Sequence, residues 1–353
     1  MPMKSLIKKT SLLPNALEPL SIPTYEGSGQ TVHPSIIDFQ NEYAKAQWGG
    51  YRFWMAITPY PQSNDAFENP SIFASHDGKN WVVPSGIENP LVSAPGGWEH
   101  GFHNDPDLIY NPDDDSLWLY FRFASKTRLQ LKLIRICNDM FRNDPLTLME
   151  ISPWEQAQNK FRSMCIFRES SVRWHMWGGG GSNQAPYGVY YYFSQDGLKW
   201  NAPQICLNAR GMDAFQRLGL CNWHMACKPN HKERRVEFLA YAIKLSVHSP
   251  KSLLRRLVGA VERRVSQGLG NAIFYAQCQM DTPTLFSSPL SQPVIRPSIS
   301  GWDNQHLYRC SFQIMNRDGG DYYKVWYSAL SKDGRWGLGL TEGRLGTFRS
   351  SEK

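Results

Sequence analysis

The stretch Ser-His-Asp-Gly-Lys-Asn-Trp at residues 75–81 returns as Ser-Gln-Asp-Gly-Leu-Lys-Trp at residues 194–200. A shorter copy, Ser-Lys-Asp-Gly-Arg-Trp, occupies residues 331–336. Each copy follows a strand-like run, and Asp-Gly suits a tight hairpin turn because glycine accepts positive φ. The tryptophan can fold over the hairpin and fill space between neighbouring sheets. A strand-and-turn unit repeated at this scale predicts an array or a propeller.

Reading outward from these hairpins gives five blade-like units. Their openings contain, in order, His33-Pro34, His103–Asp107, Arg168-Glu169, Trp223-His224 and Tyr308-Arg309. Units of this length accommodate four-stranded blades with loop insertions. We therefore predict an all-β, five-bladed β-propeller over residues 26–348, preceded by an irregular arm over residues 1–25.

The composition is consistent with one large all-β domain. The chain has 353 residues, of which 41% are hydrophobic and 13% aromatic, with 28 Gly and 23 Pro. Propellers of this length fold as single domains. Many aromatic residues together with many turn formers favour short strands and tight turns over long helices.

The charge and the cysteines exclude several classes of protein. The net charge is +7, but much of the excess lies in residues 228–235 and 251–264, and no nucleic-acid recognition motif is present, so we expect no nucleic-acid partner. Seven cysteines at irregular spacing indicate reduced thiols. The sequence has no apolar run of signal-peptide or membrane-span length, which predicts a cytoplasmic location.

One segment departs from the strand pattern. Leucine and valine recur at helical spacing over residues 252–268, with four arginines interleaved. We predict an amphipathic helix inserted in the fourth blade. It could pack on the propeller rim, or it could attach weakly to an anionic membrane surface through its arginines and its apolar face.

The blade openings resemble those of the five-bladed propeller glycoside hydrolases, the arabinanase and xylosidase group with the invertases and fructanases as relatives. Asn104-Asp105-Pro106 looks like their Asn-Asp-Pro opening, and residues 168–171 (Arg-Glu-Ser-Ser) look like the segment that supplies their general acid. The hairpins with Asp-Gly and tryptophan also match. The chain departs from the pattern at its first opening, where those enzymes usually place an aspartate and this chain has His33.

The resemblance implies a pair of carboxyl groups in the central cavity. Glycosidic cleavage uses one carboxyl as proton donor and a second as base or nucleophile. We expect Asp105 to be the base or nucleophile and Glu169 the acid, with Asp107 as second choice to Asp105 because side chains two apart on a strand share a face. The alternative is structural: Asp105 caps a turn and Glu169 forms an ion pair.

Further residues at the openings and in the loops are candidates for contact with sugar. Imidazoles at three openings could bind hydroxyls, act as acid or base, or hold a metal; since no compact metal spacing exists, we expect no metal and no cofactor. Glu68 lies in a polar loop expected at the cavity mouth, and Trp174 could stack on a sugar face. The substrate-binding candidates are His33, Glu68, His103, Asp107, Trp174, His224 and Arg309.

Two functions remain open from the sequence. The first is a glycosidase acting on a glycan, such as a bacterial surface polysaccharide. The second is a non-catalytic carbohydrate-binding propeller or polysaccharide assembly protein, in which the carboxyls only hydrogen-bond hydroxyls. A scaffold for a protein partner is a third, weaker reading.

Overall fold

The computed structural model describes residues 12–151, 162–180, 188–208, 220–244, 272–287, 290 and 293–345. Within this part of the chain, five sheets built of antiparallel neighbours follow one another, with one parallel pair, β12–β16, at an outer edge. The first blade contains β1 (Thr31–Asp38), β2 (Phe53–Pro59) and β3 (Ser71–Ser75). The second contains β4 (Phe102–Asn111), β5 (Ser116–Ala124), β6 (Leu129–Ile136) and β7 (Leu146–Ile151). The third contains β8 (Arg162–Ser170), β9 (Arg173–Gly180), β10 (Gly188–Ser194) and β11 (Gln204–Ile205).

The fourth and fifth blades complete the fold. The fourth contains β12 (Leu207–Asn208), β13 (Leu220–Asn230), β14 (Arg235–Lys244), β15 (Ala272–Gln279) and β16 (Leu285–Ser287). The fifth contains β17 (His306–Arg317), β18 (Gly320–Leu330) and β19 (Trp336–Gly343). Two short helices, α1 (Phe39–Tyr43) and α2 (Gly97–His100), lie in the connections. The helix predicted over residues 252–268 lies outside the described residues.

The five sheets close into a ring through their first strands. Strand β1 contacts β4, β4 contacts β8, β8 contacts β13, β13 contacts β17, and β17 returns to β1. This closed order confirms the five-bladed β-propeller. The inner strands run in the same direction, so all five begin at one face, called here the upper face, and end at the opposite, lower face. Among the described residues, no helix is long and apolar enough to cross a membrane.

Apolar side chains from adjacent blades form the core. Strand β5 is buried along its whole length because blades pack on both of its faces. One cluster joins Leu117, Leu119 and Phe121 of the second blade to Trp54 and Ala56 of the first. Equivalent clusters lie between the other neighbouring blades, so each interface between two sheets buries one layer of apolar side chains.

Two of the repeated hairpins attach their blade to the one before it. Gly78 adopts φ +74°, and its carbonyl accepts a 2.8 Å hydrogen bond from Trp326 Nε1 of the fifth blade. Gly197 adopts φ +72°, and its carbonyl accepts a 2.9 Å bond from the Tyr120 hydroxyl of the second blade. Both hairpins follow the third strand of their blade and lie at the lower face. The third copy differs, because residues 331–335 join the second and third strands of their blade at the upper face.

The third blade opens earlier than its sequence suggests. Its inner strand begins at Arg162, and Arg168 and Glu169 lie near its end, just before the turn at residues 171–172. The prediction that Arg168-Glu169 opens this blade was therefore wrong by about one strand length. The apolar run from Met164 to Phe167 already forms the buried part of the inner strand.

The described part of the N-terminal arm, residues 12–25, has no helix or strand and packs on the fourth and fifth blades. Leu13 N donates to the Val294 carbonyl at 2.9 Å, and Leu20 N donates to the Leu338 carbonyl at 2.7 Å. The Thr341 hydroxyl donates to the Pro14 carbonyl at 2.7 Å. The arm thereby covers the outer edge of β19.

Candidate active site

Each of the five inner strands is interrupted by a β-bulge at the same level near the upper face. The strand register shifts between residues 32 and 35, 104 and 107, 162 and 165, 221 and 224, and 307 and 310. A bulge breaks the ladder and re-aims a side chain. Five bulges at one level turn one set of side chains toward the propeller axis.

Three of the bulges contain a residue in the left-handed region of backbone space. His33 has φ +63°, Asp105 has φ +52° and Ser163 has φ +48°. Non-glycine residues adopt this conformation at a cost of about 1–3 kcal/mol, and such strain clusters at functional sites. His33 and Asp105 each precede a proline, which lacks the N–H that a regular ladder needs and so suits a bulge.

Asp105 lies at the centre of the cluster and is almost completely buried. Its two carboxylate oxygens accept hydrogen bonds from the Ser163 hydroxyl at 2.9 Å and the Ser163 N–H at 3.0 Å. Arg122 Nη1 lies 3.5 Å from Oδ2. His33 Nε2 and His224 Nδ1 lie 3.3 Å and 3.8 Å from Oδ1. One buried carboxylate thus faces an arginine, a serine and two histidines.

His33 is held by contacts to its other ring nitrogen. Its Nδ1 lies 3.2 Å from the Thr58 hydroxyl and 3.4 Å from Glu68 Oε1. The Thr58 hydroxyl donates to the Val32 carbonyl, so it accepts from His33 Nδ1–H. The lone pair of the neutral ring is then on Nε2, which faces Asp105.

His224 and Tyr308 close the cluster from the fourth and fifth blades. The His224 and Tyr308 ring centroids are 4.1 Å apart, and those of His33 and Tyr308 are 5.1 Å apart. His224 Nδ1 makes a short contact with the Ser163 hydroxyl. The Ser163 hydroxyl therefore connects Asp105 to His224.

Burial and charge separate the protonation states of these groups. Burial lowers the pKa of His33 to about 4, assisted by the charges of Arg309 and Arg122 and opposed by Asp105. Burial raises the pKa of Glu68 well above its usual value, and the Asp105 charge adds to this. Burial alone would raise the pKa of Asp105, but Arg122 and the neighbouring histidines hold it below its usual value. At neutral pH, His33 is neutral and Asp105 is ionised.

The arrangement suits a divalent cation. One ligand atom each from His33, Asp105 and His224 lies within 4.8 Å of the others. His33 Nε2 has no hydrogen-bond partner among the described residues, although it faces a carboxylate oxygen, so two lone pairs oppose each other. Ligands about 2.1 Å from a tetrahedral Zn²⁺ ion lie roughly 3.4 Å apart, close to the 3.3 Å between His33 Nε2 and Asp105 Oδ1. The expectation of no metal was based on the absence of a compact linear spacing of ligands, and it stays a prediction.

The cluster does not have the geometry of a serine hydrolase triad. In that arrangement the serine and the carboxylate bind opposite nitrogens of the histidine ring. Here Ser163 and Asp105 both approach His224 Nδ1, and Asp105 bonds directly to the serine.

The structure does not bring Asp105 and Glu169 together. Glu169 is six residues beyond Ser163 on β8, about 20 Å at a rise of about 3.3 Å per residue. Its Oε2 contacts His175 Nε2 at 2.9 Å and Arg173 Nε at 3.2 Å, near the lower face. Carboxyls that act on one glycosidic bond lie within about 5–9.5 Å, so these two do not form such a pair.

Asp107 and Arg309 lie one layer below the cluster and join inner strands. Asp107 accepts from the Ser35 hydroxyl at 2.9 Å, Ile166 N–H at 2.6 Å and Arg309 Nη2 at 3.3 Å. Arg309 also donates to the Met164 carbonyl at 2.8 Å. These bonds hold the bulged strands in register, so both residues support the site from beneath.

Two other predicted contacts also lie outside the cluster. His103 Nδ1 lies 3.3 Å from Asn69 Oδ1, and its ring packs edge-on against Phe121. Trp174 is buried and stacks on Trp118 of the second blade at 5.1 Å. It therefore packs between blades, as tryptophans of propellers commonly do, and a sugar cannot reach its face.

Of the predicted residues, the structure brings His33, Glu68, Asp105 and His224 together. Sequence reasoning missed Arg122, Ser163 and Thr58, and it noted Tyr308 only as a blade opening. Arg122 and Thr58 are on second strands, where the sequence shows no motif. Ser163 could have been found only by placing the start of β8 correctly.

These observations agree with the likeness of the chain to known proteins. It is 25% identical over 344 residues to the A type blood N-acetyl-α-D-galactosamine deacetylase of Flavonifractor plautii, covering 86% of this chain. The chain spans about 40% of the length of that relative. No protein-family profile matches the chain.

The solved structures that resemble this one are carbohydrate-active propellers. An N-acetylgalactosamine deacetylase from F. plautii, in complex with blood group B trisaccharide, superposes with a TM-score of 0.73 at 20% identity, covering 94% of this chain and 96% of that one. An α-L-arabinanase mutant of Cellvibrio cellulosa gives 0.52 at 10% identity over 88% and 90% of the two chains. A GH32 β-fructofuranosidase of Bombyx mori gives 0.56 at 16% identity over 96% and 65%. The fold is that of the five-bladed propeller glycoside hydrolases.

Proposed function

We propose that the protein is a cation-dependent hydrolase that removes the N-acetyl group from an amino-sugar unit of a glycan. The observation that carries this proposal is the facing of His33 Nε2 and Asp105 Oδ1 at 3.3 Å, with His224 beside them. Two neutral imidazoles and one carboxylate are a common ligand set for a catalytic Zn²⁺ with an open coordination position. The likeness to the deacetylase of F. plautii supports the same reaction class.

In this proposal His33, Asp105 and His224 hold the ion. A divalent cation supplies Lewis acidity, which polarises a carbonyl and lowers the pKa of water. The Thr58 hydroxyl accepts from His33 Nδ1–H and so keeps its Nε2 available; a partner of this kind orients a ligand ring and raises its basicity. The two bonds from Ser163 fix the Asp105 carboxylate.

The remaining residues move protons and stabilise charge. Glu68 takes a proton from the attacking water and returns it to the leaving nitrogen, a role suited to a buried carboxyl with a raised pKa. Desolvation and the charges of Asp105 and Glu68 raise the pKa of Tyr308, so its hydroxyl stays protonated and can donate to the acetamido oxygen. A C–O bond forms, the C–N bond breaks, and the products are acetate and a free sugar amine.

The first test measures the metal and the reaction separately. Metal analysis of the purified protein should find about one divalent ion per chain, lost in His33→Ala and His224→Ala and retained in the control His103→Ala. Incubation with a panel of N-acetylated glycans should release acetate, EDTA should stop the release, and added Zn²⁺ or Co²⁺ should restore it. Absence of a tightly held ion, or full activity in EDTA, would overturn the proposal.

A glycosidase remains a second candidate, carried by a different observation. Glu68 and Asp105 both approach His33, one with a raised and the other with a lowered pKa, and such divergence marks acid–base pairs. New reducing ends without acetate, unaffected by EDTA, would favour this function. Glycan binding without either product would favour the non-catalytic carbohydrate-binding or assembly function.

A further inference from the structure

A polar cleft opens on the upper face between the fifth and first blades. Its volume is about 860 Å³, within the range of small-molecule sites. The lining residues include Gln30, Gln62, Ser63, Gln305, Lys332 and Arg335. We propose that this cleft is a second sugar-binding subsite, which holds a neutral, hydroxyl-rich unit linked to the sugar that reacts. The inference depends on the proposed function only for the identity of the sugar unit that reacts.

The cleft adjoins the candidate active site through a short series of rings. The Trp336 ring centroid is 5.4 Å from that of Tyr308, which packs against His33 and His224. On its other side Trp336 lies 5.7 Å from the ring of Tyr60. A chain of sugars with one unit over Tyr308 would therefore extend past Trp336 into the cleft.

Gln30 is the residue that most directly indicates a ligand. It is 8% exposed, and its Oε1 accepts from Gln62 N at 3.3 Å and from Trp336 N at 3.1 Å. Two backbone donors to one atom identify that atom as the oxygen, so Nε2 is the other terminal atom. None of the described residues accepts from Nε2, although the residue lines the cleft. Nε2 is not one of the buried polar atoms that lack a partner, so it is open to the cleft, where this fixed amide can donate to a sugar hydroxyl or carbonyl.

The opposite wall is held in a strained conformation. Gln62 and Ser63 are consecutive non-glycine residues with φ +53° and +61°. The Ser63 hydroxyl accepts a 2.8 Å bond from Trp336 Nε1, which fixes this loop against the fifth blade. Two adjacent left-handed residues are strained and persist only when the surroundings impose them. The wall is thus preorganised at a cost that a ligand site would explain.

The lining chemistry favours a neutral sugar over an anionic one. Three glutamines and two serines offer both donors and acceptors, which matches hydroxyl groups. Lys332, Asp333 and Arg335 leave an excess of one positive charge at the rim. They are solvent-exposed, where charges are screened by salt, so they contribute less than the buried amide of Gln30.

Binding measurements test the subsite without requiring catalysis. The probes are N-acetylgalactosamine and blood group A trisaccharide, which contains the same terminal unit, titrated by NMR against wild type and Gln30→Met. Gln30→Met keeps the side-chain length and removes both polar atoms. Arg335→Ala is a second variant at the exposed rim, where truncation does not disturb the core, and Gln204→Met is the matched control outside the cleft.

We expect the wild type and the control to bind the trisaccharide at least about fivefold more tightly than the monosaccharide. Gln30→Met should abolish that ratio and leave monosaccharide binding unchanged, and Arg335→Ala should reduce it. An unchanged ratio in Gln30→Met, equal weakening of both sugars, preference for a sialylated over a neutral trisaccharide, or no binding of either probe would overturn the subsite. If the ratio behaves as expected but no acetate is released, the subsite stands and deacetylation fails.

Discussion

His33 Nε2 faces Asp105 Oδ1 across 3.3 Å, while Nδ1 of the same ring faces Glu68 Oε1 at 3.4 Å. One imidazole therefore separates two buried carboxyls that come from different blades. Both ring nitrogens of His33 therefore have a role. Nδ1 donates its proton to the Thr58 hydroxyl, and the lone pair of Nε2 faces a lone pair of Asp105, so a positive charge is needed between them. This relationship defines what the cluster can do and which substitutions should change it.

Asp105→Asn should destabilise the protein as well as inactivate it. The change removes the negative charge that faces the buried Arg122, and removing one member of a buried ion pair costs about 3–5 kcal/mol. Urea unfolding, followed by tryptophan fluorescence, measures the free energy of unfolding. The control Asp113→Asn removes an exposed partner of Arg168 and should change that free energy by less than about 1 kcal/mol. Equal stabilities of the two variants would contradict the buried pair.

Ser163→Ala should reduce metal affinity and acetate release by about 10–100-fold, the range found for residues that orient metal ligands. The hydroxyl bonds to Asp105 are lost, whereas the bond from the Ser163 backbone remains. The matched control is Ser75→Ala in the first hairpin at the lower face, which loses bonds to Asp77 and Gly78. This control should lower stability without changing metal affinity. Equal metal binding in Ser163→Ala and wild type would show that the hydroxyl does not position the ligands.

Glu169→Gln should leave activity within about twofold of wild type. Glu169 contacts His175 and Arg173 near the lower face, far from Asp105. Steady-state rates on any substrate found in the panel provide the measurement. A loss of about 10²–10⁴-fold, the usual contribution of a general acid, would return Glu169 to the mechanism and contradict the site described here. Glu68→Gln is the informative comparison, because that variant should show the large loss.

The metal-free protein should lose stability as the pH falls from about 6.5 to about 3. Burial lowers the pKa of His33 to about 4 and that of His103 to about 3 from the ordinary 6.5. In this window the unfolded chain binds more protons than the native protein, so the free energy of unfolding decreases with decreasing pH. Each pKa unit of difference corresponds to about 1.4 kcal/mol. Urea titrations at several pH values in EDTA measure the slope, which His103→Gln should reduce; a flat profile would contradict the buried neutral histidines.

Gly78→Ala should destabilise the fold more than Gly319→Ala. Both glycines have φ near +75°, so alanine costs about 1–2 kcal/mol at either position. At Gly78 the added Cβ would also lie 2.9 Å from Trp326 Cζ2, whereas at Gly319 nothing lies within 4 Å. Overpacking adds about 1–3 kcal/mol. Thermal unfolding of the two variants compares the costs, and equal losses would mean that the hairpin moves freely away from the fifth blade.

The sequence predicted the propeller because its signals are local. The two Asp-Gly hairpins and the proline-containing openings at residues 33–34 and 105–106 depend on residues adjacent in the chain. The third blade was misplaced because Arg162–Ser170 carries no turn or proline signal at its start. That error moved Glu169 into the site and left Ser163 out.

Linear spacing gives no sign of the proposed cation site, because His33, Asp105 and His224 come from three blades. Each histidine or aspartate is unremarkable within its own segment, and only ring closure brings the three together. Trp174 illustrates the reverse case: its sequence position near an opening suggested a sugar contact, but the neighbouring blade covers its face.

The five bulges lie on separate strands, and each re-aims a residue of its own strand, with hydrogen bonds joining Ser163 of one bulge to Asp105 of another. A substitution at one of them leaves the ladder of the other four blades intact. Each blade therefore contributes one bulge residue to the cavity floor. His33 lies at the first-blade position, where the resembling hydrolases usually have an aspartate, and Ser163 lies at the corresponding position of the third blade. Exchanges at these positions would change the floor of the cavity and leave the apolar core between the blades in place.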